Sequence, residues 1–151
     1  MQYWLMKSEP GEFSINDLEK IGEEPWSGVR SYQARKYMRE EMQIGDRVLF
    51  YHSSCEVPGV YGLARVSHLA EPDQAQFDTK SKYFEPRAKR AAPIWYGVRV
   101  RFVKKLKRPV TLAAMRADTR LKGLFIFKNG RLSVGPVGER EYRRIVKMAG
   151  E

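Results

Sequence analysis

Cysteine and histidine are almost missing from this sequence, which holds Cys55, His52 and His68 and no other residue of either type. A single thiol cannot close an internal disulfide, and one Cys with two His is too thin a set for a structural zinc site. No run of 18 apolar residues occurs, so no helical membrane span is encoded. The amino-terminal stretch also lacks the basic region and long apolar core of a secretory signal. There is no Walker-type phosphate loop, no Gly-x-Gly-x-x-Gly and no zinc-deaminase signature. These absences point to a cytoplasmic protein, nuclear if eukaryotic, that is a monomer with no metal, no cofactor and no membrane partner.

What is present suits a globular chain. At 151 residues, 42% apolar and 30% charged, the sequence can bury a core without staples, and it is expected to form one domain over residues 1–151. Acidic residues are scarce in one stretch: residues 80–108 hold eleven Lys and Arg against one acid, Glu85, which equals the entire net charge of +10. Such a local excess attracts a polyanion through counterion release, so Lys82, Arg87, Lys89, Arg90, Arg99, Arg101 and Lys105 are the expected contacts to a nucleic-acid backbone. An acidic membrane surface fits less well, because the stretch has no amphipathic helical pattern. A solvated basic face that keeps the protein soluble is the plain alternative.

The pattern predicts short elements. Residues 2–7 read as an apolar strand stopped by Glu9-Pro10-Gly11, and Ser14 with Asp17 forms a capping box for a helix over 15–21. Ser31 caps a second helix whose apolar positions are Ala34, Tyr37, Met38 and Met42, ending at Ile44-Gly45-Asp46. Strands follow at 47–52 and 60–69. In a further strand at 94–103, Ile94, Tyr96, Val98, Val100 and Phe102 alternate with Trp95, Gly97, Arg99 and Arg101. A long polar loop at 71–93 has the length of a functional segment. Thr111 caps a short helix, 124–127 and 132–134 read as short strands, and Tyr142, Ile145, Val146 and Ala149 mark a final amphipathic helix. This mixture is α+β, and it fits a small mixed barrel flanked by short helices better than a doubly wound sheet.

Catalysis is poorly advertised. His52-Ser53-Ser54-Cys55-Glu56 collects reactive side chains, but catalytic arrays are assembled from separated positions. His52 shares a strand face with Val48 and Phe50, which favours a hydrogen-bonded core histidine, and Cys55 reads as a thiol in a polar loop. For binding, Trp26 stands out: it lies in the Pro25-Trp26-Ser27-Gly28 turn outside any apolar stripe, as a stacking platform for a flat ring would. Trp4, between apolar neighbours, reads as core. Tyr51 points to the opposite face of its strand from His52.

Five segments resemble the motif series of the EVE domain family, in order and with matching spacing: YWLMKSEP at 3–10, WSGVRSYQAR at 26–35, GDRVLFYHSS at 45–54, GVYGLARV at 59–66 and RLSVGPV at 131–137. The resemblance implies a PUA-like fold, a twisted mixed β-barrel with short flanking helices. It also implies a non-enzymatic reader of a modified base, such as a methylated cytosine, in DNA or RNA. Carried onto this sequence, it places Lys7 and Ser8 at one wall of a pocket and Trp26, Arg30, Ser31 and Tyr32 at another. Tyr51 and Ser53 form the floor, and Arg131 and Ser133 stand near the rim. Ser31 replaces an Asn common in the family. The swap is silent for helix capping but would change the ligand if that side chain reads a base edge. The alternative is a nuclease or amide hydrolase of the related ASCH-like group, using Lys7, Glu9 and His52, and a free nucleoside or small acid is a third occupant.

Overall fold

The computed structural model describes residues 1–151 as an α+β fold built on one mixed sheet. Its strands are β1 (Tyr3–Ser8), β2 (Glu23–Pro25), β3 (Arg47–His52), β4 (Gly59–Pro72), β5 (Tyr96–Thr111) and β6 (Val134–Val137). Around it lie α1 (Ile15–Ile21), α2 (Tyr32–Lys36) running into a π-helical turn at Tyr37–Glu41, α3 (Leu112–Ala117), α4 (Phe125–Lys128) and α5 (Glu139–Met148). No helix is long and apolar enough to cross a membrane.

The strand order is β2-β5-β4-β3-β1-β6, with β1 and β3 parallel and every other pair antiparallel. Alternation along the strands divides the core in two. Val48 and Phe50 of β3 join Trp4 and Met6 of β1 in one apolar cluster, whereas Leu49, Tyr51 and Leu5 belong to the other. The first cluster fills the concave side, and its composition reveals how strongly the sheet curls. Trp26, just beyond edge strand β2, packs edge-on against Phe50 of β3 with ring centroids 5.5 Å apart. Three strand spacings separate β2 from β3, roughly 14 Å in a flat sheet, so only a rolled sheet brings these rings together. The edges β2 and β6 do not pair with one another.

The helices dock by their apolar faces. Ser14 caps α1 by accepting from the Asp17 amide, while Asp17 accepts from the Ser14 amide at 2.8 Å, so Ile15 and Leu18 seat in the concave cluster. Ala34, Met38 and Met42 follow at i, i+4 and i+8 on the same side. Tyr142, Ile145 and Ala149 of α5 cover the convex cluster. Trp4 is buried, and its indole N–H donates to Asp46 at 3.0 Å.

Several expected boundaries change. Residues 124–127 form most of helix α4 rather than a strand, because a short apolar run satisfies either geometry and here Leu124 and Ile126 fill the convex cluster. The last strand is Val134–Val137. Strand β5 runs to Thr111, eight residues past its expected end, and β4 to Pro72, three past, and their pairing carries register shifts that local propensity does not reveal. Strand β2 was not expected at all. Its two glutamates have poor strand propensity, but Glu23 is held across the ladder by Arg101 at 3.1 Å.

Gly97 of β5 admits the chain leaving β2. A Cβ built there would overlap the Trp26 carbonyl oxygen, and the Trp26 amide donates to Val98 at 2.8 Å. Gly97→Ala is therefore expected to lower stability by about 1–3 kcal/mol through overpacking against backbone, measured by urea unfolding.

Candidate functional site

Parallel pairing of β1 with β3 sets the carboxyl ends of both strands side by side, and the chain entering β6 arrives at the same place. The Ser53 amide donates to Ser8 at 3.0 Å, and the Lys7 amide donates to Ser133 at 2.7 Å. The curl of the sheet brings the end of β2 opposite. Between these elements lies a cavity of about 370 Å³, at the lower end of the ~300–1,000 Å³ typical of ligand pockets.

One wall is Lys7, Ser8 and Glu9 with Ser53 and Ser54; the facing wall is Glu24 to Val29. Phe13, Glu12 and Tyr83 close one side, and Gly130, Arg131 and Ser133 form the rim. Local geometry is unusual here. Ser54 is the one non-glycine residue with positive φ, at 52°, and Gly28 has φ of 83°. Gly28 also lets the Tyr83 ring approach to where a Cβ would sit 2.8 Å from it. Ser8 closes the turn after β1 by donating its hydroxyl to Phe13 at 2.6 Å.

Charge inside the cavity is divided between walls. The Lys7 ammonium donates to the Gly130 carbonyl at 2.8 Å and lies 5.7 Å from the Tyr51 ring centre; burial pulls its pKa below the usual lysine value. Burial pushes the Glu24 carboxyl up. Glu12 is ion-paired with Lys82 and accepts from the Tyr83 hydroxyl at 3.2 Å.

Of the expected pocket residues, Lys7, Ser8, Trp26, Ser53, Arg131 and Ser133 line this cavity together. Arg30, Ser31, Tyr32 and Tyr51 do not. Arg30 is occupied by Asp73 at 2.9 Å and by the Tyr83 carbonyl at 2.7 Å. Ser31 accepts from the Ala34 amide at 3.3 Å as a helix cap. Tyr32 lies outside, stacked on Trp95 at 5.0 Å, and Tyr51 is buried in the convex core. Trp95 itself is 4% exposed rather than presented beside the strand arginines, and its indole donates to Glu85. That bond and the stronger Arg87 fork hold the Glu85 carboxyl down at about 2.

Trp26 corrects the expectation most sharply. It is 7% exposed and belongs to the concave core while also lining the cavity, so a turn residue outside any periodic stripe is nonetheless core. The sequence reading missed Glu24, Phe13, Gly28, Ser54 and Tyr83. For Tyr83 a signal existed, since it sits in the long loop flagged as functional.

The basic stretch is also less free than its sequence suggests. Lys82 pairs with Glu12, Arg87 with Glu85 at 3.0 Å, Arg99 with Glu71 at 2.7 Å, and Arg101 with Glu23. Arg90 binds Gln74 at 3.1 Å, whereas Lys89 and Lys105 are exposed with no ion-pair partner. Counting along the chain omits acids that other strands bring alongside.

The hydrolase constellation does not assemble. Lys7 and Glu9 line the cavity, but His52 does not. Its ring is buried, stacked on Tyr61 at 4.1 Å, and its Nε2 accepts from the Ile15 amide at 3.1 Å. Accepting at Nε2 requires the neutral imidazole with its proton on Nδ1.

The EVE domain family model matches residues 2–148. The chain belongs to the EVE domain family. Thymocyte nuclear protein 1 of Danio rerio is 36% identical to it over 167 residues, spanning 98% of this chain and 72% of that protein. Among solved structures, a hypothetical protein from Leishmania major superposes with a TM-score of 0.97 at 45% identity, over 99% of this chain and 95% of that one. Human THYN1 protein in complex with 5-methylcytosine containing DNA superposes with a TM-score of 0.94 at 34% identity, over 100% of this chain and 99% of that one. The PUA-like α+β fold implied by the motifs is thus the fold of this EVE domain.

Two outcomes follow for this EVE domain. Trp26→Ala should lower stability by about 3–5 kcal/mol, the cost of truncating a core aromatic, measured by chemical denaturation. Burial lowers the His52 pKa below its ordinary 6.5, so the unfolded chain takes up that proton first as pH falls. The wild type should lose stability below about pH 6.5 more steeply than His52→Gln, measured as unfolding free energy against pH.

Proposed function

We propose that this chain binds nucleic acid carrying a modified base of the methylated-cytosine kind, holding the base in the cavity as a binding module rather than an enzyme. The observation that carries the reading is the cavity itself. It is walled by Trp26, Phe13 and Tyr83 together with short polar side chains and backbone, in a fold that superposes on human THYN1 protein in complex with 5-methylcytosine containing DNA. Aromatic contact contributes roughly 1–3 kcal/mol per base. Arg131 at the rim, with Lys89 and Arg90 on the neighbouring loop, supplies contacts to phosphate.

A methyl group alone contributes about 0.8 kcal/mol, a factor of roughly four. Stronger preference over plain cytosine would require the cavity to disfavour the smaller base as well.

The test is fluorescence anisotropy with labelled single-stranded and duplex oligonucleotides differing only in 5-methylcytosine or cytosine at one site, across a salt series. The methylated strand should bind at least about four-fold tighter. Arg131→Ala should flatten the plot of log affinity against log salt by about one unit, as loss of one phosphate contact does. Arg99→Ala should leave the slope unchanged, because that guanidinium already faces Glu71 and Glu23. Equal affinity for methylated and plain strands in both formats would overturn the reading.

A further inference from the structure

Glu24 has no assigned role, and its surroundings are unlike those of the other acidic residues near it. Strand alternation turns Glu23 outward to Arg99 and Arg101 and sets Glu24 on the side of Trp26, lining the cavity. Its carboxylate has no hydrogen-bond or ion-pair partner in the protein, although it is half-buried. Glu12 is engaged by Lys82 and Tyr83, and Asp73 by Gly28 and Arg30, while Glu9 is exposed. The carboxylate still reaches water in the open cavity, and a ligand that displaces that water must offer a donor in its place, because a desolvated carboxylate without one is unfavourable.

The opposite wall carries the complementary group. The Lys7 ammonium also lines the cavity, anchored by the Gly130 carbonyl and making no ion pair with Glu24. The cavity therefore offers an anionic acceptor on one wall and a cationic donor on another, held apart by the fold. A cytosine-type ring has matching polarity, an exocyclic amino group at one end and a carbonyl oxygen at the other. Thymine carries the same methyl group but has carbonyl oxygens at both positions.

Building on the base-reading function above, we propose that Glu24 is a specificity-determining residue that accepts a hydrogen bond from the exocyclic amino group of the bound base. It thereby admits 5-methylcytosine and rejects thymine. Lys7 donates to the carbonyl at the other end of the ring. Methylation is read by the apolar and aromatic surface, whereas the choice between amino and carbonyl is made by Glu24.

The experiment compares dissociation constants for oligonucleotides identical except for one position, occupied by 5-methylcytosine, cytosine or thymine, with the wild type, Glu24→Gln and Glu24→Ala. Thermal melts confirm that each variant is folded. The wild type should prefer 5-methylcytosine over thymine by at least roughly five-fold, the discrimination expected of one well-placed base-edge contact. Glu24→Gln, whose amide both donates and accepts, should bring that ratio close to one. Glu24→Ala should weaken 5-methylcytosine binding and strengthen thymine binding, since the carboxylate that faces the thymine carbonyl is gone. If the wild type prefers 5-methylcytosine over cytosine but Glu24→Gln keeps the full preference over thymine, base reading stands and the role of Glu24 is overturned. If the wild type treats 5-methylcytosine, cytosine and thymine alike, both fall together.

Discussion

The cavity depends on one buried carboxylate. Asp73, just beyond the end of β4, accepts from the Gly28 amide at 2.8 Å, from Arg30 at 2.9 Å and from the Ala75 amide at 3.0 Å. These bonds fasten the chain that leaves β2 to the far end of the longest hairpin in the sheet. Trp26, Gly28 and Val29 are held as a wall for that reason, and Arg30 in turn fixes the Tyr83 carbonyl, setting Tyr83 against Gly28. Gln76 continues the network: it is fully buried, with its amide bonded to Asp73, Trp95 and the Ile94 amide. A buried ion pair of this sort adds little net stability but becomes costly once one partner is missing, so it specifies a conformation more than it strengthens one.

Legibility in the sequence followed the range of the interaction. Helix α1 was readable to the residue because Ser14 and Asp17 form a cap from neighbours three apart. The alternation of Val48, Phe50 and His52 placed the histidine in the core for the same local reason. Trp26 defeated the same logic. Nothing within a few residues of it signals burial, because the ring is covered by Phe50, which reaches it only when the sheet rolls up. Arg30 shows the converse failure: its position beside the aromatic turn suggested ligand contact, but its partner Asp73 lies 43 positions away. The motif series carried the family and holds eleven of the seventeen residues that line the cavity, but Glu24 and Tyr83 lie outside those segments.

Charge behaves likewise. A stretch that holds the whole excess of positive charge in sequence is partly neutralised in space, with Glu12, Glu23, Glu71 and Glu151 drawn from other parts of the chain. Those pairs are mostly exposed and contribute little stability each. Their larger effect is to narrow the field to Lys80, Lys89, Arg90, Lys105, Lys107 and Arg108 of that stretch and to the rim residue Arg131, none of which has a carboxylate partner.

The place of β1 in the sheet bears on when the cavity can exist. Strand β1, although first in order among the six, lies between β3 and β6, and the latter is contributed by residues 134–137. Its parallel partner is about 44 positions away and its antiparallel partner is near the other end of the chain. Contacts so distant in sequence form late and slowly. Both walls nearest Lys7 arise from these two pairings, so the cavity is incomplete until residues 131–137 have joined the sheet. The cavity is then a property of the whole sheet rather than of its first motif, and removal of β6 would abolish it even with every lining residue outside that segment in place.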